Sequence, residues 1–321
     1  SNPKNLYANE YIVPFVNEKE RAHLVFDKKV EKDKVQRKFI PGDEWLYYKI
    51  YCGIKSADII LSDIITPLIE ELKREQLIEK WFFIRFNDPD FHIRIRFKYN
   101  KNIAGSIDKI ATCFKHYMKS YVENHFINKI ELSTYIRELE RYGGDLIDEA
   151  ETIFHYDSDM VMYLVNKLRE NQEEKERWVL SLKAIDGYLR IFKLSSKEKL
   201  EIAQGLYNSF QKEFNASKNM RKQIDKKFRL YKNDIIQSMG AEENEYAYII
   251  GARNKNISDH IEKLLNVEKR QLVYFLNSFI HMTINRIAIS NPRMHELVLY
   301  GLLEKFYRVE VYQKSKPEII H

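Results

Sequence analysis

Cysteine, glycine and proline are scarce in this sequence: 321 residues contain 2, 10 and 7 of them, respectively. Cys52 and Cys113 stand alone, without the spacing of a metal or redox motif, which argues against a disulfide framework and favours a reducing compartment. So little glycine and proline is typical of a globular chain and excludes a fibrous or disordered one. No apolar run has membrane-spanning length and no signal peptide is visible, so the sequence predicts a soluble, cytoplasmic protein.

Several catalytic and cofactor motifs are also missing. There is no Walker loop, no glycine-rich dinucleotide turn, no nucleophile elbow and no zinc signature. We therefore expect neither a metal nor a cofactor. Arginines, one histidine and a few carboxylates remain as candidates, and this set suits anion binding combined with proton transfer. Arginine grips carboxylates bidentately, and histidine moves protons near neutral pH.

Apolar and charged residues are plentiful. Hydrophobic residues make up 44% of the chain and aromatic residues 13%, which allows a substantial core. The 53 basic and 47 acidic residues give a net charge of +6, an excess that permits an acidic partner without requiring one. The basic stretch Lys212–Lys232 favours a solvated helix face, with nucleic-acid binding as the alternative.

The stretch Trp81–Phe97 predicts two short strands joined by a turn at Asn87–Asp90. In the second strand the apolar residues point one way, and His92, Arg94 and Arg96 point the other. Basic side chains at two-residue spacing repel one another unless an anion lies among them. The row is therefore either an anion-binding face or a solvated outer face with its carboxylate partners elsewhere in the chain.

The predicted elements between residues 45 and 142 follow the order β-α-β-β-α-β, with a last strand at Phe126–Arg141. That order is the ferredoxin-like arrangement, in which an antiparallel sheet carries helices on one face. We predict an α+β fold, with an N-terminal ferredoxin-like βαββαβ sheet followed by a mainly α-helical bundle. The chain then has three parts. Residues 1–40 hold one strand, at Tyr11–Phe15, and a connecting segment. Residues 41–144 form the sheet and residues 145–321 form the helical part.

The helix predicted over Leu272–Ile287 is apolar nearly all round, so we expect it to be buried. Asn277, His281 and Asn285 nevertheless form one polar stripe along it, because they are four residues apart. A buried polar stripe must find partners. His281 is then either a structural histidine that holds two helices together or part of a cleft lining. No metal ligand lies at suitable spacing from it.

Four stretches, in this order, resemble the C-terminal, glutamate-elimination domain of class I lantibiotic dehydratases, a family of thiopeptide-type bacteriocin biosynthesis. They are Pro41–Gly53, Trp81–Phe97, Glu138–Gly144 and His281–Arg286. Each motif alone is weak, but the ordered set covers nearly the whole chain. Tyr11–Phe15 also resembles the strand that precedes this domain in full-length dehydratases.

The resemblance implies a lyase in a two-step modification of a ribosomally made peptide. A separate protein or domain esterifies Ser or Thr side chains with glutamate from glutamyl-tRNA. The domain resembled here then eliminates glutamate and leaves dehydroalanine or dehydrobutyrine. Nothing in the sequence resembles the glutamylation part, so we expect a stand-alone subunit beside a glutamylating partner, or an excised domain. No DNA binding and no membrane span are expected.

By motif position, the resemblance implies that Arg96, Arg141 and His281 are the elimination residues. Neighbouring motif positions are expected to bind substrate, and they are Arg94, Arg85, His92, Glu138, Asn285 and Arg286. We expect Arg94, Arg96, Arg141 and His281 to converge on one glutamyl group.

Two other functions stay open. One is the pyridine-forming cyclase of thiopeptide biosynthesis, which resembles the same domain. The other is a non-catalytic module that binds a precursor peptide or docks onto a glutamylating partner. The intact arginine set and the His281–Arg286 motif favour elimination.

Overall fold

A computed structural model describes residues 35–171, 174–240 and 244–314, so the strand predicted at Tyr11–Phe15 lies outside the described residues. The strands are β1 (Lys38–Phe39), β2 (Trp45–Cys52), β3 (Ile78–Asn87), β4 (Phe91–Tyr99), β5 (Ile127–Ser133) and β6 (Tyr135–Ile136). The helices are α1 (Ala57–Ile60), α2 (Thr66–Arg74), α3 (Ser106–Glu123), α4 (Leu139–Tyr142), α5 (Ile147–Asn171), α6 (Glu174–Ile191), α7 (Ser196–Glu213), α8 (Lys218–Gly240), α9 (Glu245–Leu264), α10 (Lys269–Ile287) and α11 (Pro292–Lys314). The predicted α+β class, a small antiparallel sheet followed by a helical bundle, is confirmed.

The main sheet has the strand order β3-β4-β2-β5, and each neighbouring pair is antiparallel. Helices α1 and α2 connect β2 to β3, and α3 connects β4 to β5. The strands β1 and β6 form a separate two-stranded pair. This arrangement leaves one face of the main sheet free of its own connecting helices, because the apolar face packs on them.

The predicted strand Phe126–Arg141 is wrong beyond Ile136. β5 and β6 end at Ser133 and Ile136, and the chain then turns into α4. Gly143 follows α4 with φ 68°, a left-handed conformation that ends helices and that glycine adopts without strain. Local alternation over residues 126–136 had masked this change from strand to helix.

The hairpin of β3 and β4 turns at the predicted position, since β3 ends at Asn87 and β4 begins at Phe91. Ile93, Ile95 and Phe97 of β4 are fully buried on the helix-covered face, as their alternation predicts. The other face of β4 carries the basic row His92, Arg94 and Arg96. The sheet therefore separates one apolar core from a face on which the cations lie beside the buried rings of Trp45, Tyr47 and Phe82.

The outer edge of β3 is covered by helices α5 and α10 rather than by another strand. Ser158 on α5 faces the Phe83 amide, with Oγ 3.3 Å from the nitrogen, and Arg286 on α10 donates through Nε to the Phe83 carbonyl at 2.7 Å. Asn285 accepts from the Arg85 amide at 3.0 Å and donates to its carbonyl at 2.8 Å. Side chains thus satisfy the backbone groups that an edge strand leaves free.

Helix α10 is buried, as its all-round apolar pattern predicts. Phe275, Phe279, Ile280 and Ile284 are at most 1% exposed. Elsewhere in the bundle, Ser195 and Glu198 form a capping box at the start of α7. Within the described residues no single helix meets the length and apolarity needed to cross a membrane; one pair, bent by 117° between α10 and α11, meets them only when taken together.

Candidate functional site

Arg96 is held by aromatic rings on the face of the main sheet that the connecting helices do not cover. Its guanidinium carbon lies 4.4 Å from the ring centroid of Tyr47, 4.8 Å from that of Tyr135 and 5.1 Å from that of Phe82. The residue is 8% exposed, and its Nε has no hydrogen-bond partner among the described residues. Cation–π contacts stabilise the charge, but they do not satisfy the guanidinium N–H groups. Arg96 is therefore a fixed cation with donors left for an anionic ligand.

Arg94 is aimed by His92. Its guanidinium carbon lies 3.3 Å from the ring centroid of Phe86, and its Nε donates to His92 Nε2 at 3.0 Å. His92 Nδ1 lies 2.8 Å from the Asp90 carbonyl oxygen, which only accepts, so Nδ1 carries the proton and the ring is neutral. Burial, together with the charge of Arg94, lowers the pKa of His92, which agrees with that tautomer. The terminal nitrogens of Arg94 remain available to a ligand.

Arg141 joins the short helix α4 to α10. Its Nε donates to Ser278 Oγ and its Nη1 to Glu138 Oε2, both at 3.2 Å. Burial acts to lower the pKa of Arg141, but the neighbouring Tyr142 and Glu138 outweigh it and the pKa is raised. The guanidinium therefore stays charged while it is partly withdrawn from solvent. Ser278 lies on the same face of α10 as His281, three residues further along.

His281 bonds to a buried carboxylate that sequence reasoning missed. Its Nδ1 lies 2.7 Å from Oε1 of Glu296 on α11, and Glu296 is 1% exposed. Tyr300 and Arg293 also donate to Glu296, at 3.2 and 3.4 Å. Because a carboxylate only accepts, Nδ1 carries a proton, and in the neutral form of the ring Nε2 is the free base. The His281 side chain is 25% exposed, so that nitrogen is accessible.

One sequence signal pointed to Glu296. It is the only carboxylate between Pro292 and Leu303 and directly precedes an apolar run, and a buried carboxylate requires a partner. The partner lies on the preceding helix, 15 residues earlier in the chain. Periodicity within one helix shows only which residues share a face, so it does not show which residue of another helix faces them.

A cluster of aromatic rings connects the strand arginines to α4 and α10. Ring centroids of Phe82 and Phe154 are 5.4 Å apart, those of Phe154 and Tyr142 5.1 Å, and those of Tyr142 and Phe279 6.1 Å. Arg96 lies over Phe82 at one end of this cluster, and Arg141 lies 5.7 Å from the Tyr142 centroid at the other. Both arginines therefore contact members of one aromatic cluster, at different ends of it.

We call the predicted set Arg94, Arg96, Arg141 and His281 the arginine–histidine site; that all four face one ligand stays a prediction. Two carboxylates contact this set, and each is paired with one of its members: Glu138 with Arg141, and Glu296 with His281. Neither Arg94 nor Arg96 has a carboxylate within ion-pair distance in the described parts of the chain. Across those residues, no group of three or more His, Cys, Asp or Glu side chains is placed to hold a metal ion. Surplus fixed positive charge of this kind favours an anionic ligand.

His92 and Glu138 bond to Arg94 and Arg141, whereas the predicted substrate-binding residues Arg85, Asn285 and Arg286 are engaged in other contacts. Arg85 is opposite Ile93 in the sheet register, so it points to the helix-covered face. There it bonds to Asp58 and to the Arg286 carbonyl. Arg286, fully buried, bonds to Asp157 at 2.7 Å. With Asn285 these residues hold β3 to the helices, and their assignment to substrate binding stays a prediction.

Solved structures show the fold of this chain. The tRNA dependent lantibiotic dehydratase MibB from Microbispora sp. 107891 superposes with a TM-score of 0.61 at 18% identity, covering 87% of this chain and 29% of MibB. TbtD, a pyridine synthase from thiomuracin biosynthesis, superposes with a TM-score of 0.63 at 10% identity, covering 85% of this chain and 100% of TbtD. Identities this low establish a shared fold and nothing finer.

Sequence comparison establishes the family. The subtilin biosynthesis protein SpaB of Bacillus subtilis is 24% identical over 327 aligned residues, which cover 98% of this chain and 31% of SpaB. This chain thus spans about a third of the length of the curated relatives it matches, 31% of one and 30% of another. The family model for the C-terminal part of the lantibiotic biosynthesis dehydratases matches residues 45–307. The chain belongs to the lantibiotic biosynthesis dehydratase C-terminal domain family.

Proposed function

We propose that this protein is a lyase that eliminates glutamate from glutamylated Ser or Thr residues of a ribosomally made peptide, leaving dehydroalanine or dehydrobutyrine. The observation that carries the proposal is Arg96, a cation fixed by three aromatic rings with a buried, unsatisfied Nε. Such a group suits a reaction in which negative charge develops and a carboxylate leaves. Family membership supports a biosynthetic enzyme acting on a precursor peptide.

The elimination balances with the residues of the site. His281 Nε2 takes the Cα proton, the C–H electrons form the Cα=Cβ double bond, and the Cβ–O bond breaks with its pair leaving on the glutamate carboxylate. Enolate-like charge on the peptide carbonyl requires strong donors, and the leaving carboxylate requires a cation. Arg94, Arg96 and Arg141 share these two tasks. A positioned base of this kind contributes roughly 10²–10⁴-fold to the rate.

Glu296 is a positioning residue in this mechanism. It fixes the His281 tautomer through Nδ1, so that Nε2 is free to accept the proton. It also balances the positive charge that the ring acquires on accepting it. Burial and the further bonds from Arg293 and Tyr300 hold the carboxylate in place.

The partners follow from the same proposal. The substrate is a precursor peptide that a separate protein or domain has glutamylated. MibB, which shares the fold, is a tRNA dependent dehydratase, and we infer that the glutamylating unit beside this chain draws on glutamyl-tRNA. Both the peptide and the charged tRNA belong to the translation system, so we place the reaction in the cytoplasm.

The test uses a synthetic peptide with a glutamyl ester on one Ser, incubated with the protein alone and followed by mass spectrometry. We expect loss of the glutamate together with the side-chain oxygen, without any added cofactor. The H281A variant, shown to be folded by circular dichroism, should eliminate glutamate roughly 10²–10⁴-fold more slowly, because it lacks the base. Restored free Ser would indicate hydrolysis, and an unchanged ester with the folded wild-type protein would refute the proposal.

A second candidate is the pyridine-forming cycloaddition, and the complete coverage of TbtD favours it. A peptide with two dehydroalanines tests it, since a cyclase would consume that peptide and leave the glutamyl ester untouched. A non-catalytic docking module would bind either peptide without changing it. Elimination remains preferred to a docking module. Such a module has no use for a histidine whose Nε2 is free and whose ring is oriented by a buried carboxylate.

We further infer that the sheet is of the ferredoxin-like type. The strand order β3-β4-β2-β5, antiparallel throughout, and the helical connections after β2 and after β4 support this inference. We propose the division into 41–144 and 145–321 as two structural parts of one functional domain. The arginine–histidine site then draws on both, Arg94, Arg96 and Arg141 from the first and His281 from the second.

A further inference from the structure

Helix α8 exposes a row of cations far along the chain from the arginine–histidine site. The row, which we call the basic stripe, consists of Lys218, Lys222, Lys226 and Arg229. Spacings of four, four and three residues place them on one face, and all four are exposed. Ile224 and Phe228 lie on the opposite face and are buried in the bundle. Arg221 and Lys232, also exposed, lie beside the stripe.

The stripe has no carboxylate partners within the described residues. Helix α8 contains no glutamate. Its two aspartates each bond to a lysine of another helix, Asp225 to Lys305 at 2.5 Å and Asp234 to Lys175 at 2.9 Å. A solvated helix face normally carries oppositely charged residues at four-residue spacing. Lys218, Lys222 and Lys226 instead lie at that spacing from one another, and such like-charge pairs destabilise a free helix. Asp225 lies four residues before Arg229 but is bonded to Lys305.

We infer that the basic stripe binds the phosphate backbone of double-helical RNA. Regularly spaced, unpaired lysine and arginine side chains are the groups that neutralise phosphates. The stripe contains no aromatic side chain on which unpaired bases would stack, so it does not suit single-stranded RNA. The inference rests on the proposed function in one respect, since a glutamyl-tRNA-dependent partner supplies a folded RNA beside this chain.

Other polyanions fit the stripe less well. Protein–protein interfaces are depleted of lysine at their centre and use buried aromatic anchors, and the stripe offers none. Membrane-surface helices insert a free apolar face into lipid. The apolar face of α8 is already occupied, because Ile224, Phe228, Ile235 and Met239 pack inside the bundle.

The experiment measures binding of fluorescently labelled, unfractionated tRNA by polarisation at several salt concentrations. The stripe variant combines K222Q, K226Q and R229Q. The matched control combines K109Q, K115Q and K119Q, three exposed lysines on α3, and so changes the net charge equally. We expect the stripe variant to lose about tenfold in affinity near 0.1 M salt and to lower the salt slope by about 2, since each phosphate contact contributes about 0.7–0.9. The control should change affinity less than about twofold.

Four outcomes would overturn the inference. They are an equal effect of both triple variants, equally tight binding of single-stranded oligouridine, displacement of tRNA by polyglutamate at lower charge concentration, and tighter binding to phosphatidylglycerol vesicles. Elimination from the synthetic glutamyl peptide is measured in parallel. It needs no RNA, so the stripe variant should retain it, and failure of the proposed function is thereby separated from failure of RNA binding.

Discussion

The arginines of the β3–β4 hairpin and of the neighbouring helix α10 fall into two groups, which differ in what surrounds the guanidinium. Arg85 and, from α10, Arg286 each bond to a buried aspartate and to a backbone carbonyl. Arg94 and Arg96 lie against aromatic rings and have no carboxylate partner within the described residues. The first group links the sheet to the helices, whereas the second keeps donors for a ligand. Partners, rather than residue type or burial, therefore separate a structural arginine from a candidate catalytic one.

Replacing a paired arginine should have the largest effect, a loss in the free energy of unfolding. Arg286→Met leaves the buried carboxylate of Asp157 and the Phe83 carbonyl without a main donor. Removing one partner of a buried ion pair typically lowers the free energy of unfolding by about 3–5 kcal/mol. Urea denaturation measures this loss. A cost under about 1 kcal/mol would contradict the structural role, and the Arg96→Gln variant serves as the comparison.

Arg96→Gln should give the opposite pattern. Losing a fixed cation that stabilises developing charge lowers kcat by about 10²–10³-fold. Its stability should change little, because Arg96 has no ion pair to break. Single-turnover elimination from the glutamyl peptide gives the rate, and thermal unfolding gives the stability. Full activity, or an activity loss that simply follows the unfolded fraction, would remove Arg96 from the arginine–histidine site.

Glu296→Gln sharpens the comparison at the histidine. The amide keeps the shape but loses the charge that orients His281. We therefore expect kcat to fall about tenfold with KM unchanged, which corresponds to about 1.4 kcal/mol of lost transition-state stabilisation. Glu296→Asp should recover part of the rate. In an H281A background the same substitution should have no further effect on the residual rate, since the two side chains act as one unit. Additive losses would indicate that Glu296 only supports α11.

The smallest effect concerns the pH dependence of stability. Burial and the charge of Arg94 lower the pKa of His92 below its ordinary 6.5. Between the lowered pKa and 6.5 the unfolded chain binds more protons than the folded one, so the free energy of unfolding rises with pH in that window and falls on acidification. His92→Gln should reduce the slope between pH 5 and 6.5 by at most about 1.4 kcal/mol per pH unit.

Urea denaturation at several pH values checks this slope. The half-buried His155 also has a lowered pKa, caused first by the burial of its ring, so some slope should remain in His92→Gln. An unchanged slope in His92→Gln would mean that the His92–Arg94 bond does not keep the ring neutral.

Local patterns sufficed for much of the fold. The two-residue alternation of β4, the polar turn at Asn87–Asp90 and the helical periods after residue 145 each depend on neighbouring residues only. The break after Ile136 was not predicted, because the strand pattern before it was extended past it, although Leu139 and Tyr142 are three residues apart. The left-handed turn at Gly143 comes later. Where a switch from strand to helix depends on packing against α5 and α10, local pattern does not reveal it.

The candidate site divides in the same way. Resemblance of motifs singled out Arg96, Arg141 and His281, and the basic row on β4 was visible from spacing alone. Neither the ring cage around Arg96 nor the Glu296 partner of His281 was visible, because both join residues far apart in the chain. Sequence likewise grouped Arg85 with Arg94, although the pleat of the sheet points them to opposite faces.

Taken alone, the amino-acid sequence determined the family, the α+β class and the residue types available for chemistry. These properties depend on composition, period and motif order, which one chain carries within itself. Only the tertiary structure decided which arginines are paired and which are free, since pairing depends on what α5, α10 and α11 bring against each side chain. Burial makes that decision consequential, because a guanidinium withdrawn from water must be satisfied by the protein or by a ligand.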